Sequence, residues 1–552
     1  MISNIPLAQA IVQYFNKHQI DHIVISPGSR NAPLTISFAN DNYFKCFSIA
    51  DERSAAFFGL GLAQQLRRPV ALLCTSGSAL LNYYPAIAEA FYSQIPLIVV
   101  SADRPSGKID IGDGQTIRQD QVFANHILCS ETLNDEDGEH NDRQIHHAIE
   151  ACLLKRGPVH INVPFEEPLY NTTAHSNRNP YIFEVFSQDE PFEVDINFLE
   201  TWQQASKKLI LVGDLFPHAL DEEILNQLLQ DESIIILSEK SSNLHHAKLI
   251  DQIDVLITPF TDEDFRAFQP EVLLTFGGMI VSKRIKAFLR KYKPARHVHV
   301  DSLRAYDTFF CLSQHYKTMP NVFFNQILKK TQTTPSTYQS TFLTIFQKRK
   351  QLAKAFVEKQ IFSDLTVFDT VFKYLPENLQ IQVGNSSPIR YFQLFETKKS
   401  WDIFCNRGTS GIDGSTSTAV GAAFIAKKPT VLITGDISFF YDNNGLWNNY
   451  IKSNFGIILI NNRGGGIFRI LPGHQDNYVF NEFFETQHEL NASHLAAMHG
   501  FDYLEASNQE IFKNHLKSIY SHVTERKKPF ILEIFTPTLE NDKILKQFFK
   551  NL

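Results

Sequence analysis

Thr430-Val431-Leu432-Ile433-Thr434-Gly435-Asp436, followed after 24 residues by Asn461-Asn462, is the stretch on which the fold turns. Five apolar or β-branched residues ahead of the glycine have strand length and composition, and the apolar run Ile457 to Ile460 ahead of the asparagines predicts a second strand. Both runs stop where polar residues begin, so a carboxylate and two amides arrive together at one sheet edge. With a nearby carbonyl these are hard oxygen ligands, suited to octahedral Mg²⁺ that also holds phosphate oxygens. A helix opening at Asp436 would offer free N–H groups to those phosphates. Taken as a dipeptide, Gly435-Asp436 reads more simply as a helix cap.

Outward from this stretch, its pattern occurs twice. Gly61 with Pro69-Val70-Ala71-Leu72-Leu73 matches Gly421 with Pro429-Thr430-Val431-Leu432-Ile433, both at a separation of 360 residues. Gly77 precedes Gly435 by 358, and Ala102-Asp103 precede Asn461-Asn462 by 359. The first and third parts of the chain therefore read as divergent copies of one unit. Between and within them, strand-length apolar runs alternate with helical segments, the pattern of stacked βαβ units. Early strands are expected at Ile23–Ile25, Val70–Cys74 and Leu97–Val100; a middle set at 209–212, 234–237, 255–257, 272–276 and 297–300. A Pro- and Asn-rich stretch from about 164 to 191 and a Thr/Ser-rich stretch from 331 to 341 mark the boundaries. The fold class expected is α/β: three domains with mainly parallel sheets, 1–185, 186–345 and 346–552.

Length and composition agree. The 552 residues suffice for several domains, and 43% hydrophobic against 20% charged residues describe a folded globular chain. Lys and Arg number 52 against 59 Asp and Glu, a formal charge of -7, which argues against a broad nucleic-acid-binding face. Cys46, Cys74, Cys129, Cys152, Cys311 and Cys405 form no C-x-x-C pair, so they read as reduced core residues. No leader-like start and no apolar run of about 18 residues are present, so no integral membrane segment and a cytoplasmic location are expected.

Ten short motifs carry the chemistry: Ser26-Pro27-Gly28-Ser29-Arg30, Asp51-Glu52-Arg53, Thr75-Ser76-Gly77, Ala102-Asp103-Arg104-Pro105, Gln115 to Gln119, Ser282-Lys283-Arg284, Gly384-Asn385-Ser386, Asn406-Arg407-Gly408, Ser410 to Gly414, and Gly465-Gly466-Ile467-Phe468. In this order, and around Asp436 and Asn462, they resemble the thiamine-diphosphate-dependent enzymes. Within that superfamily they are similar to the 2-succinyl-5-enolpyruvyl-6-hydroxy-3-cyclohexene-1-carboxylate synthase family. The resemblance spans the whole chain and implies the thiamine-diphosphate-enzyme fold: a pyrimidine-binding first domain, a Rossmann-like middle domain and a diphosphate-binding third domain. That would also explain the internal repeat.

The resemblance implies roles residue by residue. Glu52 would be the catalytic carboxylate, hydrogen-bonded to the aminopyrimidine of thiamine diphosphate and promoting removal of its C2 proton, a task for an acid that shares a proton with a weak base. Gly77, Ile412, Asp436, Ile437, Ser438, Asn462, Gly464 and Ile467 would hold the cofactor, Ile412 propping it in its bent form. Asp436, Asn462 and Gly464 would hold Mg²⁺, with Mn²⁺ as the alternative. Arginine forks suit dicarboxylates, and the family's substrates are 2-oxoglutarate and isochorismate. Ser386, Arg390 and Arg407 would grip the distal carboxylate of the first; Ser29, Arg30, Arg104, Gln115, Lys283 and Arg284 would face the second, with Phe468 and Leu471 also in the substrate site. The activity implied is a decarboxylating 1,4-addition in menaquinone biosynthesis, the alternative being another 2-oxoacid decarboxylase or an acetolactate-type synthase. A homodimer is the minimum assembly, and a dimer of dimers is expected. Gly114 stands where the family commonly has Asn, and Arg463 where it often has Asn or Asp.

Other features have plainer readings. Gly59-Leu60-Gly61 lacks the third glycine of a dinucleotide fingerprint, and Gly107-Lys108 lacks the upstream glycine of a P-loop. His146-His147 and His245-His246 have no partners at metal-ligand spacing and read as surface or helix residues.

Overall fold

A computed structural model describes residues 1–136, 138–185, 192–470, 473, 476–520 and 527–552. The first sheet contains β1 (His22–Ile25), β2 (Lys45–Ser48), β3 (Val70–Cys74), β4 (Leu97–Asp103), β5 (Cys129–Thr132) and β6 (Val159–Pro164), in the order β2-β1-β3-β4-β6-β5. The middle sheet contains β7 (Lys208–Val212), β8 (Ile234–Ser238), β9 (Val272–Phe276), β10 (Arg296–Val300) and β11 (Leu312–Tyr316), in the order β8-β7-β9-β10-β11. The third contains β12 (Gln380–Val383), β13 (Asp402–Phe404), β14 (Thr430–Gly435), β15 (Phe455–Asn461), β16 (Asp502–Ala506) and β17 (Phe530–Phe535), in the order β13-β12-β14-β15-β17-β16. Every pairing within these sheets is parallel. Counted within each sheet, the first and third have the same strand order, so the repeat seen as glycine spacing is a repeat of topology.

The alternation of side chains along each strand divides the interior. Ile23, Ile25, Ala71, Leu73, Ile98 and Val100 point into one cluster, while Val24, Leu72 and Val99 point into another. That second cluster also takes Leu432, Ile457, Leu459 and Ile531 from the third sheet, whose opposite face buries Val431, Ile433, Ile458 and Leu532. The first and third sheets thus share one core, while the middle sheet keeps two of its own.

Two helices seal the shared core, Glu52–Leu66 and Ser415–Ile425. A Cβ on Gly61 would lie 2.1 Å from the Thr418 carbonyl oxygen, and one on Gly421 would lie 2.1 Å from that of Phe58. Thr418 follows Phe58 by 360 residues, as Gly421 follows Gly61. The repeated glycines are the two halves of one pseudo-symmetric helix crossing, possible only where no side chain separates the backbones.

One expected strand is a helix. Residues 253–257 are helical, with Ile253, Leu256 and Ile257 packed into one middle-sheet cluster and Val255 into a cluster of the third sheet. The i, i+3, i+4 spacing satisfies a helix, and three consecutive apolar residues are too few for periodicity to tell the two apart. The strand Leu312–Tyr316 was not anticipated; its mixed Leu-Ser-Gln-His-Tyr composition suits a half-exposed edge. Among the described residues, no helix is long and apolar enough to cross a membrane.

Candidate active site

β14 and β15 pair in register, Gly435 opposite Ile460, so Asp436 and the Asn461-Asn462 pair leave the sheet at the same edge. Asp436 begins the Asp436–Tyr441 helix, but its side chain does not cap that helix. One carboxylate oxygen accepts from the Ile437 N–H at 2.7 Å and the other from the Gly464 N–H at 3.0 Å. Gly464 adopts φ +155, and a Cβ there would lie 2.8 Å from the Glu485 carbonyl oxygen, so the turn that brings it back to Asp436 requires glycine. The Asn462 amide nitrogen donates to Asp364 at 3.0 Å, while its oxygen, Oδ1, is buried without a partner. A buried amide oxygen left unpaired costs free energy unless something fills the gap. Asp436, Asn462 Oδ1 and the adjacent backbone are hard oxygen donors at one sheet edge, and the residues present fit a Mg²⁺-type ion. His488 Nε2 lies 3.4 Å from the same carboxylate.

Asp364, not anticipated from sequence, orients this amide. It is 2% exposed, receives the Thr536 hydroxyl at 2.6 Å and is pushed up to about 6 by burial, its hydrogen bonds opposing and the Asp436 charge reinforcing the shift. No local signal marks it: it lies about 100 residues from Asn462 and reads as an ordinary first-turn acid.

The loop 406–414 follows β13, the edge strand paired to β12. Asn385 holds it, donating to the carbonyls of Asn406 at 2.7 Å and Gly411 at 2.8 Å. Glu89 of the first domain accepts from the Gly408 and Thr409 N–H groups, both at 2.7 Å. Gly414, at φ +71, would place a Cβ 2.2 Å from the Phe57 ring. The Ser438 hydroxyl donates to the Ile412 carbonyl at 2.6 Å, joining two of the residues expected to hold the cofactor. Ile467 and Phe468 open the short helix Ile467–Ile470, and Leu471 lies outside the described residues.

The anticipated basic residues fall into two groups. In the first, Ser386 at φ +68 precedes the Ser387–Phe392 helix, and Arg390 donates to the Ser386 carbonyl at 2.6 Å. Arg407 donates to Asn385 Oδ1 at 2.8 Å, and its Nε is buried and unpartnered. Burial and then the Arg407 charge pull Arg390 down, and the same causes act on Lys286. Facing them, Asp214 and Glu239 are each pushed up to about 7, chiefly by burial. Near neutrality these carboxyls are part-protonated, so the cluster keeps a positive excess and favours an anion. Glu239 accepts from the Val281 and Ser282 N–H groups at 3.0 Å, which fixes the start of the Lys283–Lys291 helix beside the third domain. Arg284 lies over the Phe549 ring at 4.8 Å, and Lys283 is exposed. The group shares its sheet edge with Asp436: a Cβ on Gly384 would touch Thr434 Oγ1 at 2.7 Å, and one on Gly435 would meet Pro388 at 3.8 Å.

The second group lies on the first sheet. Arg30, 5% exposed, donates to the Phe165 carbonyl at 2.9 Å and pairs with Glu167 at 3.1 Å. Arg104 donates to the carbonyl of Gly114, the position where Asn is common, at 2.9 Å. The Gly77 N–H donates to Gln119 at 2.9 Å, and its Cα faces Gln115, which has φ +57. Ser29 is exposed beside Arg30. Arg463 pairs its exposed guanidinium with Glu489 at 3.0 Å.

Glu52 opens the helix Glu52–Leu66, half-buried, with Asp51 as its N-cap. Its neighbours reach the third domain: Asp51 accepts from Asn444 at 2.7 Å, and Arg53 donates to the Tyr441 carbonyl at 2.9 Å. Among the described residues, no hydrogen bond or ion pair joins Glu52 to Asp436 or Asn462, nor the Arg30–Arg104 group to the Arg390–Arg407 group.

Residues 5–125 match the N-terminal, and residues 382–534 the C-terminal, thiamine pyrophosphate-binding domain of the thiamine pyrophosphate enzymes. The first and third sheets, with the oxygen-donor edge between β14 and β15, thus define a thiamine pyrophosphate enzyme. The chain is 56% identical to the 2-succinyl-5-enolpyruvyl-6-hydroxy-3-cyclohexene-1-carboxylate synthase of Flavobacterium psychrophilum over 99% of both chains. It is 49% identical to that of Christiangramia forsetii over the same share of each, and 35% identical to that of Porphyromonas gingivalis over 98% of this chain and 96% of the relative. The chain belongs to this synthase family.

Proposed function

We propose that the protein decarboxylates 2-oxoglutarate and adds the remaining succinyl semialdehyde unit to isochorismate by 1,4-addition, releasing CO₂, in menaquinone biosynthesis. The observation that carries this reading is the Ser386, Arg390 and Arg407 group beside the Asp436 edge: a guanidinium pair matched to a distal carboxylate that simpler 2-oxoacids lack. Thiamine diphosphate, when bound, supplies the electron sink that loss of CO₂ requires. Asp436, Asn462 and the Gly464 backbone would hold Mg²⁺ or Mn²⁺; Gly77, Ile412, Ile437, Ser438 and Ile467 would seat the organic part. Glu52 would exchange a proton with the aminopyrimidine nitrogen. Arg30, Arg104, Gln115, Lys283, Arg284 and Ser29 would receive isochorismate, with Phe468 and Leu471 at the edge.

This reading includes a site completed by a second copy of the chain, hence a homodimer at least and a dimer of dimers by further pairing. The three sheets support division near 185 and 345, and the lack of a membrane-spanning helix among the described residues agrees with a cytoplasmic enzyme. The test is CO₂ release from 2-oxoglutarate with thiamine diphosphate and Mg²⁺, with and without isochorismate. Release coupled to loss of isochorismate is expected; release indifferent to isochorismate would make the protein a simple decarboxylase.

A further inference from the structure

Cys129 and Glu131 occupy alternate positions of β5, the edge strand of the first sheet, and so project from the same face. The Glu139–Lys155 helix brings His147 onto that face. Cys129 Sγ lies 3.5 Å from His147 Nδ1 and 3.4 Å from Glu131 Oε1, and His147 Nδ1 lies 2.7 Å from the same oxygen. A tetrahedral zinc ion, with bonds of about 2.3 Å to sulfur and about 2.0 to 2.2 Å to nitrogen and oxygen, spaces sulfur roughly 3.5 to 3.7 Å from its other ligand atoms and nitrogen roughly 3.3 to 3.5 Å from oxygen. The two sulfur edges lie within about 0.3 Å of this length, and the nitrogen–oxygen edge needs to open by roughly 0.6 to 0.8 Å. We propose that Cys129, Glu131 and His147 form a binding site for a borderline-soft divalent cation of the zinc type, separate from the oxygen-donor site at Asp436.

The donor set decides the metal class. Thiolate and imidazole favour zinc-type ions, whereas Mg²⁺ takes oxygen ligands and keeps its waters. Gln144 Nε2 donates to Glu131 Oε2 at 3.1 Å, which leaves Oε1 turned toward the cysteine and histidine, as an outer ligand-orienting contact does. The His147 side chain is 59% exposed, so the ring has room to adjust and the fourth corner opens to water. Burial and the Glu131 carboxylate push the Cys129 thiol up to about 12, so binding must displace its proton to the buffer, with the cation supplying the compensating charge. The sequence concealed this: the ligands come from a strand and a helix at a spacing that matches no zinc motif, and Cys129 and Glu131 meet the surface helix residue His147 only across the fold.

Cobalt(II) is the probe, because thiolate ligation gives it a near-ultraviolet charge-transfer band that an oxygen-donor site cannot produce. The full chain is first loaded with thiamine diphosphate and Mg²⁺, then titrated with Co²⁺. A thiolate band saturating at one cobalt per chain and displaced by Zn²⁺ is expected. It should vanish in Cys129→Ser and weaken in affinity roughly tenfold or more in His147→Ala, while His146→Ala retains it. His147 is exposed, so its variant tests the site without disturbing the core. No thiolate band at excess cobalt, or one unchanged in either ligand variant, would overturn the site and leave the three residues an ordinary hydrogen-bonded cluster.

Discussion

Arg407 shows how one side chain is aimed by its neighbours. Asn385 Oδ1 occupies one of its amino groups, Cys405 donates weakly to the same oxygen, and Glu89 holds the following two residues through their N–H groups. The guanidinium is thereby aimed with its Nε still unsatisfied. If it grips a distal carboxylate, Arg407→Ala removes a charge-assisted hydrogen bond worth roughly 1.5 to 3 kcal/mol. The efficiency with 2-oxoglutarate should then fall at least about tenfold. Pyruvate has no such carboxylate, so its poor use should change little. The ratio of the two efficiencies is the measurement, and an equal loss with both donors would assign Arg407 to folding or cofactor binding instead. Arg407 was legible in sequence because it stands in a motif; Glu89 was not, because nothing near it in the chain foretells that its carboxylate meets residues more than 300 positions away.

Among the elements, the crossing of the Glu52–Leu66 and Ser415–Ile425 helices is the most demanding contact. Each glycine lies against the other helix's backbone, not against a side chain that could swing away. Gly421→Ala should cost about 1 to 3 kcal/mol as overpacking, seen as a lower thermal midpoint, and Gly61→Ala should do the same. The double variant should cost less than the sum of the two, because once the helices have parted for one methyl the second meets less resistance. Strictly additive losses would mean that the two glycines act at independent contacts.

For the whole molecule, buried titratable groups set the response to acid. His160 is pushed down to about 3 and His297 and His299 to about 4, in each case first by burial. The unfolded chain protonates these rings below about 6.5 while the native protein refuses the proton, so their effect is a loss of stability as pH falls from about 6.5 toward 4. Asp214, Glu239 and Asp364 have the opposite sign: pushed up, they hold protons in the native state that the unfolded chain releases above about 4, and they lose stability as pH rises toward 7. His297 shares Thr275 Oγ1 with His299, so His297→Gln keeps a hydrogen-bonding side chain there but removes one titrating ring. Between about pH 6.5 and 4.5 the variant should lose less stability than the parent by about 2 kcal/mol, read as a smaller drop in thermal midpoint. An equal drop would show that His297 takes up its proton in the folded state.

Local order came from the chain alone. Fully buried parallel strands have to be continuous apolar runs, so β3, β7, β9, β14 and β15 could be found by composition, and glycines after them marked the turns. The duplication was visible as well, because a repeated helix crossing needs glycine at both equivalent positions. The tertiary structure alone decided which polar groups meet. Asp364 turns the Asn462 amide, Glu89 and Asn385 fix the 406–414 loop, Glu239 fixes the start of the Lys283–Lys291 helix, and Cys129 and Glu131 find His147. Side chains separated by long stretches of chain carry no periodicity that links them, since what brings them together is the packing of whole sheets and helices whose own formation depends on other residues.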